Sequence, residues 1–144
     1  MEIQLVSGTS NIILKTQDLD GDGPNAPVVT VSGNLAAGTE YLGAILVLNE
    51  LESPAEDITE EVEEEDLDHQ FFYTAGSGLD VTTAYGNFDS AGNPLGTVFQ
   101  LTTGAAGSGS FTVTLVHEPT KPNTGLASAG GETDIEATFN ITIE

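Results

Sequence analysis

Three groups of residues have the types and spacing to do chemistry. The sharpest is Asp18-Leu19-Asp20-Gly21-Asp22-Gly23. Aspartates at alternate positions, closed by a glycine that permits a sharp bend, are how a loop wraps several oxygens around Ca²⁺. The run matches the first half of an EF-hand loop. The second half departs from it, because the twelfth position is Val29 rather than Glu, and Pro24 and Pro27 forbid a following helix. A calcium site built on Asp18, Asp20 and Asp22 therefore needs a closing ligand from elsewhere, with Asp134, Glu132 or Asp89 as candidates. The plain alternative is an Asp/Gly turn whose side chains cap their own backbone.

The second group is His69 and His117 with the acids beside them, above all Glu65 and Glu118. Imidazole combined with carboxylate suits Zn²⁺ or another first-row transition metal. Both histidines fall at the ends of strand-like segments, where distant parts of a chain converge. The plain alternative is a pair of ordinary surface histidines. The third group surrounds the first histidine. Eleven of the 23 acidic residues lie between Glu50 and Asp68, with no base among them. Bound cations would relieve their repulsion, and so would exposure to salt.

An enzyme is not expected. No serine sits in a nucleophile-elbow context. With Lys15 and Lys121 as the only bases, oxyanion or phosphate stabilisation would rest on backbone amides. The Gly-rich stretch at 104–109 opens no helix, so it is not a phosphate loop.

The elements that must position these groups are mostly strands. Alternating or continuous apolar patterns mark strands at 2–6, 11–17, 28–31, 40–48, 69–74, 79–85, 95–101, 111–117 and 134–144. The first two read as a hairpin. The apolar run in 40–48 reads as a central strand covered on both faces. Residues 104–109 read as a turn and 118–132 as a long loop. Ser53 as N-cap, Pro54 at the first helical position and Glu56 completing a capping box predict one short acidic helix over 54–65, with Ala55, Ile58 and Val62 on its apolar stripe. Turn spacings of this kind indicate an all-β chain folded as an antiparallel, immunoglobulin-like β-sandwich over residues 1–144.

The formal charge is −21 and cysteine is absent. Such a charge excludes nucleic-acid backbones and disfavours anionic membranes. Without cysteine there is neither a disulfide framework nor a thiolate metal site. No apolar run approaches a membrane span. A strand-like segment follows Met1 at once, which suggests that the natural N-terminus lies upstream.

The runs QDLDGDGPNAPVVTVSGNLAAGT, LNELESPAEDITEEVEEE with HQFFY, GNPLGT, TVTLVHEPTKPN and GGETDIEATFNITI resemble a family of small Gram-negative cell-envelope lipoproteins. Its members often carry the label "type 1 periplasmic binding fold superfamily protein". The resemblance covers about residues 17–144. It implies an exported protein held to a membrane only through a lipid anchor upstream of Met1, in the periplasm or on the outer-membrane surface. It also implies an accessory or capture role beside an outer-membrane uptake receptor. A periplasmic binding fold needs two α/β lobes, far more helix than this chain offers. The functional expectation is a metal-binding envelope domain, with Ca²⁺ or Zn²⁺ as the ion. The alternative is a calcium-stabilised structural or adhesive β-module.

Overall fold

The computed structural model describes residues 1–20 and 23–144. Among them are eleven strands: β1 (Glu2–Ser7), β2 (Ser10–Gln17), β3 (Val28–Val31), β4 (Glu40–Leu46), β5 (Leu48–Asn49), β6 (Glu56–Asp57), β7 (His69–Ala75), β8 (Val81–Tyr85), β9 (Val98–Thr103), β10 (Gly107–His117) and β11 (Glu132–Ile143). Two short helices, α1 (Ile58–Glu64) and α2 (Leu126–Ala129), complete the set. A six-stranded sheet in the order β3-β2-β1-β4-β9-β8 faces a three-stranded sheet in the order β11-β10-β7, and every strand pairing is antiparallel. The chain is an all-β sandwich, as the strand spacings predict.

The alternation in the sequence is the alternation of the walls. Ile3, Leu5, Tyr41, Ile45, Phe99 and Leu101 point inward from the large sheet, and Phe111, Val113, Leu115, Phe139, Ile141 and Ile143 from the small one. Their side chains interdigitate in one core, as packed sheets require. β1 and β2 form the predicted hairpin, with Ile3 opposite Leu14.

Several expectations need correction. β4 lies inside its sheet, but only one face of it is covered. Tyr41, Gly43 and Ile45 are buried, while Leu42 and Leu46 are exposed. A continuous apolar run fits either arrangement, so the sequence alone does not separate them. The 104–109 turn is shorter than expected, because β10 begins at Gly107. The strand expected at 95–101 is β9, displaced to Val98–Thr103, with Phe99, Leu101 and Thr103 facing inward. Helix α2 interrupts the 118–132 loop.

The acidic helix exists but starts later than its local signals suggest. Glu56 and Asp57 pair with Asn49 and Leu48 as a two-stranded ribbon. That ribbon consumes the residues that Ser53 and Pro54 were expected to lead into the helix. Asp57 is the N-cap, its Oδ1 accepting from the Thr59 N–H at 2.9 Å and the Glu60 N–H at 3.4 Å. Val62 is buried and Ile58 packs against the core, whereas Ala55 is exposed. The Thr59 hydroxyl accepts from the Val47 N–H at 2.7 Å, tying the first turn to the end of β4. Asp57→Ala removes the cap and should cost about 1 kcal/mol, read as a lower urea midpoint at unchanged slope. Ser53→Ala, at the cap expected from sequence, should leave the midpoint where it is.

Candidate functional site

The register of β7 on β10 sets His69 directly opposite His117, and the rings stack with centroids 4.9 Å apart and planes 12° apart. Residues directly opposite on antiparallel strands have neighbouring side chains, so two histidines 48 positions apart in sequence become one feature. His69 is 7% exposed and His117 is half-buried.

The His69 ring is held from behind. His69 Nδ1 lies 3.1 Å from the Glu65 carbonyl oxygen. A carbonyl can only accept, which assigns a proton to Nδ1, and in the neutral ring the lone pair is then on Nε2. That Nε2 lies 3.9 Å from Asp134 Oδ2 on β11. The His117 end is fixed by the backbone. The Glu118 N–H donates to the Asp68 carbonyl at 2.7 Å, and Glu118 takes the left-handed conformation, with φ of 51°.

α1 leans over the end of the small sheet and closes a groove of about 310 Å³, whose polar walls are Glu61, Glu65, His69, His117 and Asp134, with Ile58, Val62, Leu115 and Ile135 as its apolar floor. Glu65, His69 and His117 all line this groove. Glu118 does not line the groove. Asp134, considered from sequence as a closing ligand for calcium, stands at the histidines as well as in a hollow shared with Asp18. Among the described residues no three His, Asp or Glu side chains converge on a common metal position. The geometric reason is the stack itself: nearly parallel rings send their lone pairs in parallel rather than to one point.

In the described part of the aspartate run, Asp20 is the hydrogen-bonding centre. Its carboxylate accepts from the side-chain amide of Asn25 at 2.6 Å and from the Asn25 N–H at 3.3 Å, while the Asp20 N–H donates to Asp18 Oδ1 at 3.1 Å. The Asn25 side-chain amide is the main cause holding the Asp20 carboxyl below its ordinary value. Asp22 lies outside the described residues. Asp18 lines one hollow with Asp20 and Asn25, and another with Glu50, Asp134 and Glu136. Glu132 is exposed opposite His117 in the β10–β11 register.

Asp89, the remaining candidate for closing the calcium loop, has a different partner. Its Oδ2 accepts from the Lys121 ammonium at 3.0 Å, with both side chains almost wholly buried. The same ammonium donates to the Asp66 carbonyl at 2.7 Å and the His69 carbonyl at 2.6 Å. Three oxygens around one positive nitrogen amount to a cation cage filled by the protein itself. Sequence reasoning missed this residue. Its only signal was the rarity of lysine in so acidic a chain.

Comparison with protein-family models, with curated proteins and with solved structures finds no match to this chain.

Proposed function

We propose that the groove between α1 and the ends of β7 and β10 captures a first-row divalent transition-metal ion, with Zn²⁺ as the model. The observation that supports this most directly is the pair of imidazoles set side by side in an acid-lined groove, one with its Nδ1 anchored so that Nε2 is free to ligate. His69 Nε2 and the His117 ring supply the nitrogens, and Asp134 with Glu65 the carboxylates. Binding requires one ring to leave the stack so that the lone pairs converge. That reorganisation lowers affinity and suits an ion that is passed on rather than one that holds a fold together. Set beside the resemblance to envelope lipoproteins, the reading is of an exported accessory domain that gathers a metal ion for an outer-membrane uptake receptor. A calcium-stabilised structural or adhesive module is the second reading, favoured by the Asp18–Asp20 segment, one of whose two hollows is lined by Asp134 as well as Asp18.

Titration calorimetry on metal-stripped protein tests both. Zn²⁺ should give a stoichiometric heat that falls at least tenfold in affinity in His69→Ala and in His117→Ala, and that persists in Asp20→Ala. Heat that survives both histidine substitutions, or that fades with added salt as diffuse screening does, overturns the transition-metal reading. A Ca²⁺ heat abolished by Asp20→Ala supports the second reading.

A further inference from the structure

The two histidines of the groove are not held alike. The His69 ring is buried, its Nδ1 lies 3.1 Å from the Glu65 carbonyl oxygen, and the backbone carbonyl of His69 accepts from the Lys121 ammonium at 2.6 Å. The His117 ring is half-buried, and among the described residues it stacks on His69 but makes no side-chain hydrogen bond. The difference traces to the turn that joins α1 to β7. Lys121 Nζ draws together the carbonyls of Asp66 and His69, three positions apart, at 2.7 and 2.6 Å. Between them the Asp68 carbonyl accepts from the Glu118 N–H at 2.7 Å, and the Asp68 N–H donates to the Glu65 carbonyl at 2.9 Å. That last oxygen is the one facing His69 Nδ1. The Asp66 carboxylate accepts from the Ser90 N–H and hydroxyl at 2.8 and 3.0 Å, which ties the same turn to a neighbouring loop.

On the transition-metal reading of the groove, on which this assignment rests, we infer that Lys121 is a positioning residue. By fastening the 66–69 turn from behind, it sets the Glu65 carbonyl against Nδ1 and so presents Nε2 of His69 to the groove. Neither Lys121 nor Asp89 lines the groove, so neither touches a bound ion, and both act through the backbone. A partner on the far nitrogen of a ligating imidazole fixes its tautomer and orientation, and losing such a partner costs about 10–100-fold in metal affinity. Here that partner is a backbone oxygen, which is only as well placed as the turn that carries it. An ammonium suits the task because its three N–H donors can serve three oxygens at once. Asp89, at 3.0 Å, balances its charge. The clamp also decides which ring moves. The two lone pairs converge only if one ring leaves the stack, and of the two only the His117 ring can turn without breaking a hydrogen bond.

The test variant is Lys121→Met combined with Asp89→Asn. It removes one positive and one negative charge, so the formal charge stays at −21 and a loss of affinity does not report overall attraction for cations. Titration calorimetry of metal-stripped protein with Zn²⁺ should give an affinity at least tenfold lower in this double variant. Gly43→Ala, a core change on the other sheet and outside the groove, should leave the affinity unchanged. Long-range proton–nitrogen NMR of the histidine rings at about pH 8.5, where an ordinary imidazole is neutral, should find His69 as the Nδ1–H tautomer in wild type and as a mixture in the double variant. The tautomer needs no metal, so it decides the positioning even if wild type gives no Zn²⁺ heat and the metal reading itself fails. Any other His69 tautomer in wild type overturns the inference. So does a double variant that keeps the Nδ1–H tautomer, or one that binds Zn²⁺ as tightly as wild type. If the double variant does not fold, acetylation of Lys121 in wild type, read against Lys15 by peptide mass mapping, takes its place. Saturating Zn²⁺ should slow it at least tenfold, because a ligand that prefers the closed turn holds the cage shut, and an unchanged rate overturns the inference.

Discussion

Replacing Lys121 with methionine should lower the free energy of unfolding by about 3–5 kcal/mol, the usual cost of removing one partner from a buried ion pair. Methionine keeps the aliphatic stem and removes the ammonium. Asp89 is then left almost wholly buried with no counter-charge, and the carbonyls of Asp66 and His69 lose a donor at 2.7 and 2.6 Å. Urea denaturation measures it. Lys121→Met combined with Asp89→Asn should recover a good part of the loss, because the stranded charge goes too. Acid should act on the same lock. Burial alone would raise the Asp89 carboxyl, but the Asn93 backbone N–H, the Lys121 ammonium and the Asn93 side chain outweigh it and hold the carboxyl below its ordinary value. A carboxylate lowered by folding stabilises the protein above its unfolded value, about 3.9, and that contribution is lost as pH falls through the lower folded value. Wild type should therefore lose stability on the acid side of pH 4 more steeply than Asp89→Asn. Equal acid profiles would mean that the carboxylate contributes nothing.

From sequence the acids of 50–68 suggest a cluster gathered around a foreign cation, but the lock uses none of their carboxylates: Asp66 offers Lys121 only its backbone carbonyl, and its side chain accepts from Ser90. In the structure, the turn that follows the helix closes around Lys121, a cation from the same chain 52 positions beyond His69. Nothing local could have shown this, since Asp66, His69, Asp89 and Lys121 meet only when three loops fold together. The histidine pair was more legible. Both rings sit at strand ends, and antiparallel strands bring ends together, but register alone decides whether two such residues face each other. The helix start illustrates the opposite failure. Ser53, Pro54 and Glu56 make a good local capping signal, and Asp57 makes a second one four residues later. Pairing of Glu56 and Asp57 with β5 selects the later start, a tertiary preference that no window of local sequence contains. The alternating strands were the most readable part, because period-2 burial on a sandwich wall is written directly into β4, β9 and β11.

The large sheet also depends on a residue with no side chain. Gly43 lies opposite Phe99 in the β4–β9 register and faces inward. A Cβ there would lie 2.4 Å from a ring carbon of Phe99. That ring has no free direction to yield, being fully buried, with Tyr73 stacked at 4.3 Å and Phe111 at 6.4 Å between centroids. Glycine to alanine in a strand normally helps by about 0.4–1 kcal/mol through the unfolded chain. Here the backbone is not in the left-handed region, so that gain is available, and any net loss reports the steric clash alone. Gly43→Ala should destabilise by about 1–3 kcal/mol, the range for overpacking a tight core, with the Tyr73–Phe99–Phe111 stack disturbed in near-ultraviolet circular dichroism. The discriminating measurement is the cycle with Phe99→Leu, which by itself removes ring volume and leaves space beside Gly43. If the missing Cβ is what seats the ring, the two changes together should cost less than their sum by about 0.5–3 kcal/mol. Strict additivity would show instead that the sheet relaxes around the added methyl, and that Gly43 serves the strand rather than the aromatic stack.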